Sequence, residues 1–180
     1  MDKRKIILIV GNSGSGKSFA AKYLSEMWKD EGANLIVSYT TRPMRDGEVN
    51  GIDHIFTDLT EFVKHDSEGI ILASTFFGAY KYWTTVNQFK GISIYVIDEE
   101  GVRYFEREFP DFAKVFKVYI ATKDSVKEER GIDLNRRIRD LDRKPIPTDE
   151  YDCVICNNDC LESFKMRLNE MMSYALKYFD

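Results

Sequence analysis

Short apolar runs alternate with amphipathic stretches along this chain, a pattern that predicts an α/β fold with a parallel sheet flanked by helices. Residues 5–10 run Lys5-Ile6-Ile7-Leu8-Ile9-Val10 and stop at Gly11, as expected of a strand buried on both faces. Over 17–30, Ala20, Ala21, Leu24, Met27 and Trp28 recur at three-to-four spacing with Gly32 just beyond, which predicts a helix. A second short strand is expected at 35–37. From 38 to 90 the chain turns rich in Gly, Thr and aromatics, with strand-like pieces at 70–75 and 80–84. A short helix is expected near 58–64, opened by Asp58 with Glu61 as its capping partner. This stretch reads as a lobe inserted into the sheet pattern, which resumes with a strand at 92–97, a helix at 101–109 and a strand at 113–120.

A charged helix is expected over 125–144, ended by Pro145 and Pro147. The last strand is expected at 151–156, and a closing helix is read as starting at Asp159, with Glu162 three residues on. Its stripe of Leu161, Phe164, Leu168, Met171, Met172, Ala175 and Phe179 is a core face and not a cofactor site. The expected organisation is therefore a core of 1–37 and 91–180 around an insert of 38–90.

Composition narrows the function classes. With 43% hydrophobic and 31% charged residues in 180, the chain belongs with soluble globular domains. No apolar run approaches the roughly 18–20 residues of a membrane span, so a cytoplasmic protein with no membrane partner is expected. A net charge of −4 argues against nucleic acid as a partner. One local stretch departs from this: 123–144 holds eight basic against six acidic residues, read either as a solvated mixed-charge helix or as a positive segment with work to do. Cys153, Cys156 and Cys160 include a C-x-x-C spacing, but no second ligand pair accompanies it. The thiols are expected to serve as small buried apolar groups near the end of a strand.

The sharpest chemistry is Gly11-Asn12-Ser13-Gly14-Ser15-Gly16-Lys17-Ser18, which matches G-x-x-x-x-G-K-[ST] between an expected strand and helix. Glycines let the backbone turn its N–H groups toward one phosphate, and the helix start adds positive potential. Lys17 is expected to bridge the β- and γ-phosphates of ATP, and the Ser18 hydroxyl to ligate Mg2+. Further on, Ser38-Tyr39-Thr40-Thr41-Arg42-Pro43-Met44-Arg45-Asp46-Gly47-Glu48 sets two arginines three residues apart before a glutamate. Arg42 and Arg45 suit a monophosphate held by bidentate bonds, with Glu48 pairing one of them. The bland alternative is a surface loop with incidental charges.

The run from Ser38 to Asp53, S-x-T-T-R-x-x-R-x-G-E-x-x-G-x-D, resembles the acceptor signature of guanylate kinases. The likeness continues through Phe77-Gly78, Tyr82-Trp83-Thr84, Val96-Ile97-Asp98, Arg130-Gly131, Arg137 and the turn of 155–159. It implies a P-loop nucleoside triphosphate hydrolase-type sheet with an inserted mixed α+β nucleoside monophosphate-binding lobe and a short helical lid within about 123–144. It also implies transfer of a phosphoryl group from ATP to a nucleoside monophosphate, GMP or dGMP first, by a monomer or homodimer. In that reading Arg42, Arg45 and Tyr82 hold the acceptor phosphate while Glu48 orients the arginines. Ser38, Thr84 and Asp98 face the base, Arg130 and Arg137 come from the lid, and Asn157 lies near adenine.

Four departures accompany the likeness. His54 stands where the family has Tyr, and its imidazole can still donate to phosphate. No acid occupies 71–73, where the family reads guanine with Glu. Val96 replaces the first acid of a D-x-D pair, and Val126 replaces a lid arginine in a shortened lid. Phosphate handling is better kept than base reading. Two alternatives therefore stay open: a kinase of another acceptor, such as a different deoxynucleotide or ribose 1,5-bisphosphate, or a non-catalytic binding module.

Overall fold

The computed structural model describes residues 4–132, 138, 140–141 and 143–180. Strand β1 (Arg4–Gly11) lies at the centre of a five-stranded sheet. Its neighbours are β7 (Ile92–Val96) and β8 (Ala113–Ala121), and the edges are β2 (Ala33–Ile36) and β9 (Cys153–Cys156). Every pairing in the order β2-β7-β1-β8-β9 is parallel. The unbroken apolar run of β1 now has its explanation. Ile7 and Ile9 face one core with α1 (Lys17–Met27) and α5 (Leu161–Phe179), while Ile6, Leu8 and Val10 face a second core that includes Val102 and Phe105 of α3 (Glu99–Glu108).

A second, four-stranded sheet of order β4-β3-β6-β5 is built from β3 (Tyr39–Thr40), β4 (Ile55–Phe56), β5 (Ile71–Phe77) and β6 (Tyr80–Thr85), with α2 (Leu59–Ser67) beside it. Trp83 is completely buried here, stacked on Tyr39 at 5.3 Å and met edge-on by Phe62. Its indole N–H donates to Nδ1 of buried His65 at 3.1 Å, and Nε2 of that ring lies 3.1 Å from Glu61. Indole is a donor only, so Nδ1 accepts and Nε2 carries the proton toward Glu61. His65 is thereby a satisfied core histidine. Leu72 and Ala73 of β5 join the same core as Ile6 and Leu8, which ties the second sheet to that face of the first.

Several expected boundaries move for identifiable reasons. Asp58 does cap α2, accepting from Thr60 N and Glu61 N, while the Glu61 carboxylate turns to Lys64 and His65. Helix α3 starts at Glu99, before the expected 101, because Asp98 caps it by accepting from Gly101 N at 2.7 Å. The closing helix starts at Leu161 after Cys160, and Asp159 pairs instead with Arg167. The expected helix of 125–144 is interrupted: α4 (Asp124–Glu129) ends at Arg130-Gly131, where Gly131 takes a positive φ of 67°. The thiols also differ from expectation. All three are free, Cys153 is half-buried, and Cys156 and Cys160 are exposed. Among the described residues no helix is long and apolar enough to cross a membrane.

Candidate active site

Parallel strands all deliver their C-terminal ends to one edge, and the strand that follows β1 in sequence is not its neighbour in space. Such an edge is where open α/β sheets bind ligands. The loop 11–16 leaves β1 there, Ser38 follows β2, Asp98 follows β7, Thr122 follows β8, and Asn157 follows β9. The loop needs its glycines. Gly11 and Gly14 hold φ of 151° and 75°; a Cβ on Gly11 would stand 2.6 Å from the Ile120 carbonyl oxygen, and one on Gly14 would overlap the Ile132 side chain.

Two clefts flank this loop. The first is lined by Gly14, Gly16, Lys17, Ser18, Arg130 and Asn157, with Ile132 and Phe164 among its apolar walls. Asn157 is buried and donates to Ser15 O at 2.8 Å, which fixes the turn after β9 against the loop. Arg130 donates to Gly14 O at 3.1 Å and to Asn157 Oδ1 at 3.2 Å. Lys17 Nζ donates to Asn12 O at 2.8 Å. Exposed Ser18 lies in the first turn of α1, and its hydroxyl is a hard oxygen donor of the kind Mg2+ prefers.

The second cleft is lined by Ser13, Lys17, Ser38, Arg42, Arg45, His54, Tyr82 and Asp98, together with Thr75, Phe77, Tyr95, Asp140 and Arg143. The Arg42 side chain is only 7% exposed and makes four hydrogen bonds. Two go to the Glu48 carboxylate at 2.8 and 2.9 Å, one to Pro43 O and one to Tyr82 Oη. Glu48 also accepts from the backbone N–H of Arg45 at 2.8 Å. Burial works against the Glu48 charge, but the Arg42 bonds and the Arg45 N–H outweigh it and hold the carboxyl below its usual range. Burial likewise opposes the Arg42 charge, and its bonds to Glu48 and Tyr82 raise its pKa nonetheless. His54 Nδ1 lies 2.9 Å from Ser38 Oγ, and its ring meets Tyr82 edge-on. Burial and then the nearby Arg42 charge push the imidazole below its ordinary value, against the pull of Glu48.

Lys17 lines both clefts. Residues 3–175 match the protein-family model described as guanylate kinase. The chain belongs to the guanylate kinase family. It is 30% identical over 175 residues to the guanylate kinase of Campylobacter jejuni strain RM1221, covering 89% of this chain and 84% of that protein. The guanylate kinase of Vibrio cholerae serotype O1 is 27% identical over 172 residues, covering 88% and 83% respectively. In fold, the chain is similar to the crystal structure of guanylate kinase from Anaplasma phagocytophilum, with a TM-score of 0.69 over 99% of this chain and 90% of that one at 23% identity.

Within this member of the guanylate kinase family, the sequence-expected residues fall on both sides of the loop. Arg130 and Asn157 lie in the first cleft, and Ser38, Arg42, Arg45, His54, Tyr82 and Asp98 in the second. Glu48 stands behind Arg42, and Thr84 is completely buried outside the lining of either cleft. Arg137 lies outside the described residues. Ala73, in the acid-free stretch 71–73, is buried opposite Thr84.

Sequence reasoning missed three charged groups. Glu99 and Arg143 pair at 2.6 Å, Arg143 donates to Gly11 O at 3.1 Å, and Asp140 accepts from Ser13 N at 2.7 Å. The signal available for Asp140 and Arg143 was the charged stretch 123–144, which gave no partner, and Glu99 had none. Lys22 of α1 also pairs with Asp53 at 2.7 Å, tying the phosphate-loop helix to the loop that carries His54.

Proposed function

We propose that this protein is a nucleoside monophosphate kinase that transfers the γ-phosphoryl group of MgATP to GMP or dGMP. The single observation that carries the reading is the placement of an intact phosphate loop directly against the Arg42–Glu48–Tyr82 cleft, with Lys17 shared between the two. The first cleft takes the donor, with Asn157 near its base. The second takes the acceptor phosphate on Arg42, Arg45, His54 and Tyr82, and the base toward Ser38 and Asp98. The two sheets form a core and an inserted acceptor lobe in this reading, with the segment from α4 to about 144 as the lid. Ser18 would hold Mg2+, which neutralises phosphate charge and orients the triphosphate.

Little covalent chemistry is asked of the protein, because the acceptor phosphate is itself the nucleophile and phosphoryl transfer needs mainly position and charge compensation. Glu48 supplies position: held ionised, it locks the Arg42 fork so that no conformational freedom is lost when phosphate arrives. Lys17 compensates charge along the line of transfer. Asp98 keeps one carboxylate oxygen on Gly101 N, which fixes the other for base contacts. The exposed Cys156 and Cys160 thiols suit a reducing cytoplasm.

A coupled assay of ADP formation from MgATP, run against a panel of nucleoside monophosphates and ribose 1,5-bisphosphate, tests the assignment. A rate increase confined to GMP or dGMP is the expected result. An increase with a different acceptor keeps the chemistry and changes the substrate, as the acid-free 71–73 segment would allow. ATP binding without transfer to any acceptor points to a binding module.

A further inference from the structure

A phosphate loop offers backbone N–H groups to an anion, and here one of those groups already holds one. Asp140 Oδ2 accepts from Ser13 N at 2.7 Å, and Oδ1 accepts from Ser13 Oγ at 3.2 Å. The Asp140 side chain is 8% exposed, so this is an inward-facing carboxylate and not a solvated surface group. Arg143, three residues on, ties the same segment to the loop's first carbonyl, Gly11 O, while its other arm pairs with buried Glu99.

The position of this contact matters. Ser13, Asp140 and Arg143 line the cleft that also contains Arg42 and Arg45, and neither Ser13 nor Asp140 lines the opposite cleft. The Ser13 N–H therefore faces the side toward which a phosphoryl group would leave its donor. A carboxylate there uses the same donors, with the same sign of charge, as a terminal phosphate would. Among the described residues, the Arg143 guanidinium is shared between two carboxylates, Glu99 and Asp140. Two anions cannot share such a site at low cost in a part-buried setting.

We propose that Asp140 is an internal anion that competes with the terminal phosphate of ATP for the Ser13 end of the loop, so that donor binding displaces it. The identity of the competing anion rests on the kinase reading above. In the absence of donor, Asp140 occupies the Ser13 N–H while Arg143 holds Gly11 O; entry of the triphosphate exchanges one anion for another on the same N–H. ADP is one phosphoryl group shorter and meets Asp140 less, so the competition falls more heavily on ATP.

Titration calorimetry of MgATP and MgADP against wild type, Asp140→Asn and Asp140→Ala tests this, with thermal melts to establish that each variant is folded. Asp140→Asn keeps the size and the acceptor oxygen while removing the charge. It is expected to tighten ATP by about tenfold, equivalent to about 1.4 kcal/mol, with a smaller gain for ADP and a parallel fall in KM for ATP. Asp140→Ala is expected to gain at least as much. If Asp140 merely pins its segment in place, both variants loosen the site. Unchanged or weaker ATP binding in folded Asp140→Asn overturns the proposal, whether or not Asp140→Ala folds. Failure of wild type and variants alike to bind either nucleotide overturns the kinase reading, and the competitor falls with it.

Discussion

Arg42 is a buried guanidinium whose charge is matched by one carboxylate, and that imbalance of dependence makes Glu48 the more informative residue to change. Glu48→Ala leaves Arg42, at 7% exposure, without its bidentate partner, and breaking such a pair costs about 3 kcal/mol. The expected outcome is a lower midpoint in urea denaturation and a KM for the acceptor raised by about tenfold or more, with KM for ATP little changed. His54 gives a pH-dependent counterpart. Its pKa in the folded protein lies below the ordinary value of about 6.5, so the native state binds its proton less readily than the unfolded chain does. The associated stability is present above about pH 6.5 and is lost as pH falls through the folded-state pKa. Urea melts at about pH 7.5 and 5.5 should show His54→Phe losing less stability on acidification than wild type does. An equal loss in both proteins contradicts this assignment.

Gly14 joins the loop to the segment after α4, because its bare Cα is where the Ile132 side chain rests. Gly14→Ala forces both a strained φ of 75° and a steric overlap, and the expected result is a fall in ATP affinity of about a hundredfold with a smaller loss of thermal stability. Ile132→Ala in the same background relieves the overlap but not the strain, so partial recovery is expected. The loop itself was legible in the sequence because its chemistry is local: eight consecutive residues carry it, between a strand and a helix that hydrophobic pattern alone identifies. The acceptor run from Ser38 to Glu48 was legible for the same reason. The two-residue strands Tyr39–Thr40 and Ile55–Phe56 were not, since no periodicity can develop over that length and their pairing depends on β6. The break at Gly131 was hidden by helix-favouring charges on both sides. Asp159 resembled a helix cap until Arg167, one turn inside α5 and beyond, claimed its carboxylate.

Contacts that bring distant segments together carried no signal in the sequence. Asp140 reaches Ser13 across 127 residues and Arg143 reaches Gly11 across 132, distances over which spacing says nothing and only the sheet order β2-β7-β1-β8-β9 creates proximity. That same order places both clefts at one edge of the sheet with Lys17 between them, and this arrangement is what the proposed reaction depends on. Lys17→Ala should therefore abolish transfer more than it abolishes folding, lowering kcat by about a hundredfold or more while the melting temperature changes little. The most direct measurement follows the phosphoryl group itself: γ-labelled ATP is incubated with GMP and Mg2+, and the label is located after separation of products. Label in GDP, produced by wild type and strongly reduced in Lys17→Ala, is the expected result. Label that stays in ATP or appears only as inorganic phosphate, with every nucleoside monophosphate offered, contradicts the assignment of this protein as a nucleoside monophosphate kinase.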